Sequence, residues 1–155
     1  MVAHVIEEKY VMGVPLYRQE QQCARRGVQL SRQNMANWVV HAAQNWFEPI
    51  YNRVKDVLLA QDIIMADETS VQVLREDGKA PESKSFMWVY RSGRYEPGMV
   101  LYEYQPSRAQ EHPKEFLRNF KGYLITDGYA AYSGLPKDVV NADCWAHYPR
   151  NMVIQ

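Results

Sequence analysis

The stretch IIMADETSVQV, residues 63–73, decides the fold class because it ends the helical pattern of the residues before it. A short apolar run from Ile63 to Ala66 leads into Asp67, and Val71 and Val73 then alternate with polar residues. An apolar run followed by alternation predicts a β-strand. The sequence therefore predicts two parts, a helical segment over 1–60 and a sheet-containing domain over 61–155.

Four more strands are expected after this one. Turn residues and apolar patterning place them at 86–90, 99–104, 122–126 and 139–145, with a helix opened by Pro113 and a short helical segment over 129–134. The order β-β-β-α-β-α-β predicts an α/β fold with a mixed sheet. The helix before the fourth strand allows that strand to lie parallel to the first through a right-handed crossover.

Two aspartates follow apolar runs that this order brings to one sheet edge. If the first and fourth strands are neighbours, Asp67 and Asp127 lie at the C-terminal ends of parallel strands, where ligands of open α/β sheets gather. Phosphodiester transfer by divalent metal ions requires such a cluster of carboxylate oxygens. The alternative is that each aspartate is only a turn or cap residue.

The first 60 residues carry the pattern of three helices. Pro15 and Gly27 bound the first, and Ser31 is an N-cap for the second, in which Met35 and Ala42 belong to one apolar stripe. Two short helices around a glycine-containing turn are typical of a helix-turn-helix. A third helix follows over 46–58, with Pro49 in its first turn.

Charge restricts how this chain could contact DNA. Its 18 basic and 18 acidic residues cancel, so any contact requires a local patch. Residues 9–46 contain five basic side chains against Glu20 alone. The helix over 31–43 is the expected recognition element, and five side chains are the candidate DNA contacts: Arg25, Arg26, Arg32, Gln33 and Asn37. The alternative is a helical subdomain that only braces the sheet.

Several other classes of protein are not supported. Cys23 and Cys144 show no CxxC spacing, which argues against a disulfide framework, and Cys144 with His147 supplies only two of the four ligands of a structural zinc site. No apolar stretch approaches the roughly 20 residues that span a bilayer. The N-terminus lacks a signal-peptide core, so a cytoplasmic protein with no membrane partner is expected.

Six motifs together resemble the central region of insertion sequence 66 transposases. They are PLYRQEQ at 15–21, GVQLSR at 27–32, ADETSVQVL at 66–74, MWVY at 87–90, DGYAAY at 127–132 and CWAH at 144–147. They cover residues 10–147 in the family's order and spacing. This agreement over most of the chain is far more specific than any one motif.

The resemblance implies an RNase H-like catalytic domain that binds Mg²⁺ or Mn²⁺ and cleaves and joins transposon-end DNA. It assigns Asp67 and Asp127 to the first two positions of the acidic triad, and it implies other transposase subunits as possible partners. The family's third member, a Glu, lies beyond His147, where this chain departs from the pattern with Pro149. A catalytic domain truncated before its third carboxylate is therefore expected.

Two alternatives remain for the whole chain, a DNA-binding module without catalysis and a nonfunctional transposase remnant. Three acidic residues, Glu111, Glu115 and Asp143, are candidates to replace the missing carboxylate. They also fit simpler roles, at a helix N-terminus for the first two and in a turn for Asp143. Glu68 points to the opposite face of its strand from Asp67, which favours a supporting role.

Overall fold

The computed structural model describes residues 1–74, 76–94 and 98–145. The chain divides into two compact units, residues 1–52 and residues 53–155. The assignment of a DNA-binding segment to 1–60 and a catalytic domain to 61–155 is a functional division and stays a prediction. None of the helices in the described ranges is long and apolar enough to cross a lipid bilayer.

Most of the helices in the described residues lie in the first part of the chain. They are α1 (Val2–Tyr10), α2 (Leu16–Arg25), α3 (Arg32–Ala42), a π-helical turn (Ala43–Phe47) and α4 (Glu48–Leu59). The last of these begins in the first unit and ends in the second. The sequence singled out α2, α3 and the third helix. It gave no separate indication of α1, which contacts both α2 and α3.

Local signals set the ends of α2 and α3. Pro15 is the N-cap of α2, and Gly27 follows that helix with a φ of 77°, a left-handed conformation that glycine adopts without strain. The Ser31 hydroxyl accepts a hydrogen bond from the backbone N–H of Asn34 at 3.2 Å. Met35 and Ala42 are fully buried, as the apolar stripe predicted.

The buried interior of the first unit also contains a polar side chain. Gln19 is almost fully buried, and its amide donates to the backbone oxygens of Val5 and Val14 at 3.3 and 3.0 Å. A buried amide without partners would be unfavourable, so these bonds explain why glutamine is tolerated here. They also connect α2 to the middle of α1 and to the segment between the two helices.

The second unit is built on one five-stranded sheet. Its elements are β1 (Ile63–Gln72), β2 (Lys84–Ser92), β3 (Val100–Gln105), α5 (Glu111–Phe116), β4 (Gly122–Thr126), a 3-10 turn (Ala130–Tyr132) and β5 (Val139–Asp143). The strand order is β3-β2-β1-β4-β5. The β1–β2 and β2–β3 pairs are antiparallel, whereas β1–β4 and β4–β5 are parallel. The predicted α/β class and mixed sheet are confirmed, and the strand order is consistent with an RNase H-like fold.

The two faces of the sheet differ in burial. One face is covered by α5 and the residues after it, and Tyr90 stacks on Phe116 with ring centroids 3.6 Å apart. Its fully buried side chains are Ile64, Trp88, Tyr90, Phe116, Leu117, Phe120, Leu124 and Tyr132. On the other face Tyr102, Tyr104 and Tyr123 are exposed.

The start of β4 is fixed against the residue before β1. The Tyr123 N–H donates to the Asp62 backbone oxygen at 2.9 Å, and Ile63 then pairs with Tyr123. Gly122 has a φ of 149°, and a Cβ atom placed there would overlap the Asp62 backbone oxygen. Only glycine permits this approach, so Gly122 helps to set the β1–β4 register.

Replacing Gly122 with Ala should lower the free energy of unfolding by about 2 kcal/mol or more, because the new methyl group meets backbone that cannot rotate away and the backbone conformation is itself unfavourable for alanine. Urea denaturation followed by circular dichroism measures the change. Gly98→Ala is the matched control, since a Cβ there meets nothing within 4 Å. Equal stability of the two variants would contradict the packing constraint.

A half-buried carboxylate lies on β3. Burial raises the pKa of Glu103 above its ordinary range, the opposing charge of Lys55 only partly offsets this effect, and Glu115 adds to it. Within the described residues its Oε2 atom is buried and makes no hydrogen bond. The folded state therefore holds the Glu103 proton more tightly than the unfolded state does.

The sign of the resulting pH dependence follows from this raised pKa. The contribution of Glu103 to stability is present below its unfolded pKa of roughly 4.3 and is lost as the pH rises through the folded pKa. Glu103→Gln removes that loss, so it should raise the melting temperature more at pH 7 than at pH 4. Thermal melts at both pH values test this, with the exposed Glu82→Gln as control. A larger gain at pH 4 would contradict the assignment.

Candidate active site

Asp67 and Asp127 lie beside each other on neighbouring parallel strands. The last residue pair of the β1–β4 ladder is Met65 with Ile125, and each aspartate comes two residues later in its own strand path. Asp127 directly follows β4, as predicted. Asp67 does not end β1, because the strand continues to Gln72 and pairs with β2 alone. What ends near Asp67 is the pairing with β4.

Three carboxylates meet at this edge. One oxygen from each of Asp67, Glu68 and Asp127 lies within 4.8 Å of the other two. Asp67 is exposed, and Asp127 is half-buried. Carboxylate oxygens are the ligands that Mg²⁺ and Mn²⁺ prefer in proteins, so the donor chemistry of the two aspartates fits such a cation.

Backbone N–H groups orient both aspartates. The Glu68 N–H donates to Asp67 Oδ1 at 2.8 Å, and the Tyr129 N–H donates to Asp127 Oδ1 at 3.0 Å. The second of these bonds closes a turn at Gly128, whose φ is 82°. Among the described residues, the other oxygen of each carboxylate accepts no hydrogen bond. Asp127 is thus both a turn residue, as the alternative interpretation expected, and a member of the carboxylate cluster.

Glu68 differs from its two neighbours because its side chain is completely buried. Arg108 forms an ion pair with Glu68 Oε1, in which Nε donates at 2.7 Å, and the Tyr132 hydroxyl donates to Oε2 at 2.7 Å. With both oxygens already bonded, Glu68 is poorly suited to bind a metal ion, although it lies near enough. This geometry favours the supporting role expected for it.

The partners of Glu68 are held in their donor forms. Burial raises the pKa of Tyr132, and its hydrogen bond to the Glu68 carboxylate raises it further. Burial opposes the charge of Arg108, but hydrogen bonding and attraction to Glu68 outweigh it, so the pKa of Arg108 is raised. Sequence analysis did not pair either residue with Glu68, because Tyr132 and Arg108 lie 64 and 40 residues from it in the chain.

A cavity of about 200 Å³ opens beside the two aspartates. Its wall includes the apolar side chains of Met65 and Ile125 and the cationic side chain of Arg91. Cys144 also contributes to this wall. Sequence patterning did not identify Arg91, which reaches this face because it pairs with Met65 across the β1–β2 ladder.

The candidate replacement carboxylates lie outside this three-residue cluster in the described part of the chain. Glu111 and Glu115 are exposed on α5, and Glu115 forms an ion pair with Arg118. Asp143 is exposed at the end of β5, where it pairs with Thr126 in the ladder. His147 and Pro149 lie outside the described residues.

The five candidate DNA contacts are all exposed on the first unit. Arg25 and Arg26 lie at the C-terminal end of α2, and the other three lie on α3. The Gln33 amide donates to Asn37 Oδ1 at 3.1 Å, so the two side chains are hydrogen-bonded to each other on the exposed face of α3. The Arg32 backbone N–H donates to Glu20 Oε1 at 2.9 Å, which leaves the guanidinium group exposed.

Comparisons with known proteins give a consistent result. The sequence profile described as "Transposase IS66 family" matches residues 1–154. Uncharacterized protein y4qI of Sinorhizobium fredii (strain NBRC 101917 / NGR234) is 34% identical over 97% of this chain and 30% of its own length. Uncharacterized protein y4jD of the same organism is 29% identical over 88% of this chain and 27% of its own length. No solved structure matches the chain.

The relatives are much longer than the region that they share with this chain. The chain spans about 30% of the length of the curated relatives that it matches. The similarity therefore concerns this shared region of the relatives and not their full length.

Proposed function

The chain belongs to the transposase IS66 family, and we propose that Asp67 and Asp127 hold a divalent cation, Mg²⁺ or Mn²⁺, for cleavage and joining of DNA phosphodiester bonds. One observation carries this proposal: two carboxylates 60 residues apart in the chain lie at the same point of a parallel strand pair, with oxygens within 4.8 Å. A family resemblance alone would not require them to meet.

When bound, the cation would neutralise charge on the reacting phosphate and activate a water or 3′-hydroxyl nucleophile. The protein's own residues supply the positions. Asp67 is exposed, so a phosphate can approach it, and the Glu68 and Tyr129 N–H groups fix one oxygen of each aspartate. Fixed ligands matter because small displacements of reacting groups slow such reactions strongly.

The charge balance at the site also suits a divalent cation. Three carboxylates lie together, but Arg108 pairs with Glu68 and compensates one of the negative charges. Asp67 and Asp127 then present two negative charges to the ion. This count matches the charge of Mg²⁺ or Mn²⁺ and gives Glu68 a role that does not require it to bind metal.

The resemblance places the family's third carboxylate, a Glu, on the C-terminal side of His147, and residues 148–155 of this sequence contain no Glu or Asp. We therefore test metal binding, which depends on Asp67 and Asp127, rather than DNA cleavage, which would also need the third carboxylate.

Asp67→Asn and Asp127→Asn should each weaken Mn²⁺ binding by roughly tenfold or more, since each removes a charged ligand from the same ion. Isothermal titration of the full chain with MnCl₂ measures the affinity. Asp77→Asn, an exposed aspartate in the turn between β1 and β2, is the matched control and should bind as wild type does. Mn²⁺ binding that neither site variant weakens would sink the metal assignment.

We also propose that the first unit contacts DNA through the exposed side chains of α2 and α3. These basic and amide groups are the types that bind phosphates and base edges. The same surface supports the second candidate function, a DNA-binding module without catalysis. The Mn²⁺ titration separates the two, because a module of that kind needs no cation at Asp67 and Asp127.

Replacing Arg25, Arg26 and Arg32 together with Ala should weaken DNA binding and flatten its dependence on salt. Each lost phosphate contact lowers the slope of log K against log salt by about 0.9. Fluorescence anisotropy with a labelled duplex between low and moderate salt measures this slope. The triple variant Lys114→Ala, Arg118→Ala and Lys121→Ala removes the same charge from exposed positions elsewhere. If both variants flatten the slope equally, the effect is one of net charge rather than of this surface.

A further inference from the structure

Arg108 lies in the segment between β3 and α5, away from the stretches that carry the two aspartates. Its side chain is 38% exposed, yet the guanidinium group has a partner on each of two sides. On one side it forms the ion pair with Glu68. On the other it lies over the ring of Tyr129, with the guanidinium carbon 3.5 Å from the ring centroid.

The ion pair with Glu68 connects Arg108 to Asp67. The buried Glu68 carboxylate is held between Arg108 and the Tyr132 hydroxyl, which fixes the Glu68 side chain. The backbone N–H of Glu68 is the group that donates to Asp67 Oδ1 at 2.8 Å. Because the side chain and the N–H belong to the same strand residue, fixing the Glu68 side chain restricts the direction of the Glu68 N–H.

The contact with Tyr129 connects Arg108 to Asp127. The Tyr129 ring is covered by the guanidinium group, and the Tyr129 hydroxyl donates to the backbone oxygen of Arg108 at 3.3 Å. The backbone N–H of Tyr129 donates to Asp127 Oδ1 at 3.0 Å. Tyr129 is thus held to Arg108 at both its ring face and its hydroxyl, while its N–H orients the aspartate.

We propose that Arg108 is a positioning residue that ties Asp67 and Asp127 into one preformed pair, acting on Asp67 through Glu68 and on Asp127 through Tyr129. This inference rests on the proposed metal-binding function. Arg108 touches neither the cation nor the reacting phosphate in this role. Its planar group is required because it forms a hydrogen-bonded ion pair at its edge while stacking through its face, which lysine cannot do.

Charge and position make opposite predictions for the removal of Arg108. Its positive charge pairs with Glu68, one of the three clustered carboxylates, so loss of charge alone should strengthen Mn²⁺ binding by removing a repulsive neighbour of the ion. Loss of positioning should weaken it. Arg108→Met therefore distinguishes the two roles by the sign of the change in affinity.

The decisive experiment uses the double variant Glu68→Gln with Arg108→Met, which leaves the net charge of the site unchanged and leaves no buried carboxylate unpaired. Isothermal titration of the full chain with MnCl₂ should show affinity reduced on the order of 10- to 100-fold. Arg108→Lys should fall between wild type and Arg108→Met. Arg118→Gln, at an exposed ion pair on the surface, is the control and should bind as wild type does.

An affinity of the double variant within twofold of wild type, with an unchanged circular dichroism spectrum, would overturn the positioning role. Tighter binding by Arg108→Met would do the same. If the double variant does not fold, Tyr129→Leu provides the test, since it removes the stacked ring and the hydroxyl that bonds to Arg108 but keeps the backbone N–H that donates to Asp127. Weaker Mn²⁺ binding by Tyr129→Leu supports the tie, and wild-type affinity overturns it.

Failure of the proposed function looks different, because the wild-type chain itself would then bind no Mn²⁺. Amide hydrogen exchange measured by NMR decides the inference in that case. Faster exchange at the Glu68 and Tyr129 N–H groups in the double variant supports the tie through Arg108. Unchanged exchange at both groups overturns it.

Discussion

The parallel pairing of β1 with β4 is the contact on which the candidate site depends. It covers only three residue pairs, from Ile63–Tyr123 to Met65–Ile125. Because both strands run in the same direction, residues that follow the ladder emerge at the same edge, and Asp67 meets Asp127 there. A shift of one residue would turn one of the aspartates to the opposite face of the sheet.

Several features protect this short ladder. The Asp62 backbone oxygen binds the Tyr123 N–H, and Gly122 leaves room for that approach. β1 is also held on its other side by nine residue pairs with β2. The strand that carries Asp67 is therefore central and rigid, whereas Asp127 lies just past the end of the much shorter β4. The hydrogen bond from the Tyr129 N–H and the turn at Gly128 hold Asp127 just past that strand.

Alternation along β1 separates two functions between adjacent residues. Asp67 points to the exposed face, while Glu68 points into the interior. A buried carboxylate without partners is unfavourable, and breaking a buried pair costs roughly 3–5 kcal/mol. Arg108 and Tyr132 satisfy Glu68, so the interior of the sheet is linked by hydrogen bonds to the backbone group that orients Asp67.

The sequence by itself determined the fold class and the succession of strands and helices along the chain. It also singled out Asp67 and Asp127 as the candidate metal ligands. Apolar runs, turn residues and helix caps are local signals, and Pro15, Gly27 and Ser31 act where they predicted. The match of residues 122–126 to β4 reflects the same local chemistry. The continuation of β1 past Asp67 was missed because its pairing with β2 involves residues far along the chain.

Only the tertiary structure decided which side chains surround the aspartates. Arg108, Tyr132 and Arg91 reach the site through crossovers and strand pairing, and spacing in the sequence carries no record of such contacts. The exposed sheet face was equally hidden, since the alternation of a strand shows that its two faces differ but not whether anything covers the second one. Periodicity describes one element at a time, whereas burial and ion pairing depend on the elements that pack against it.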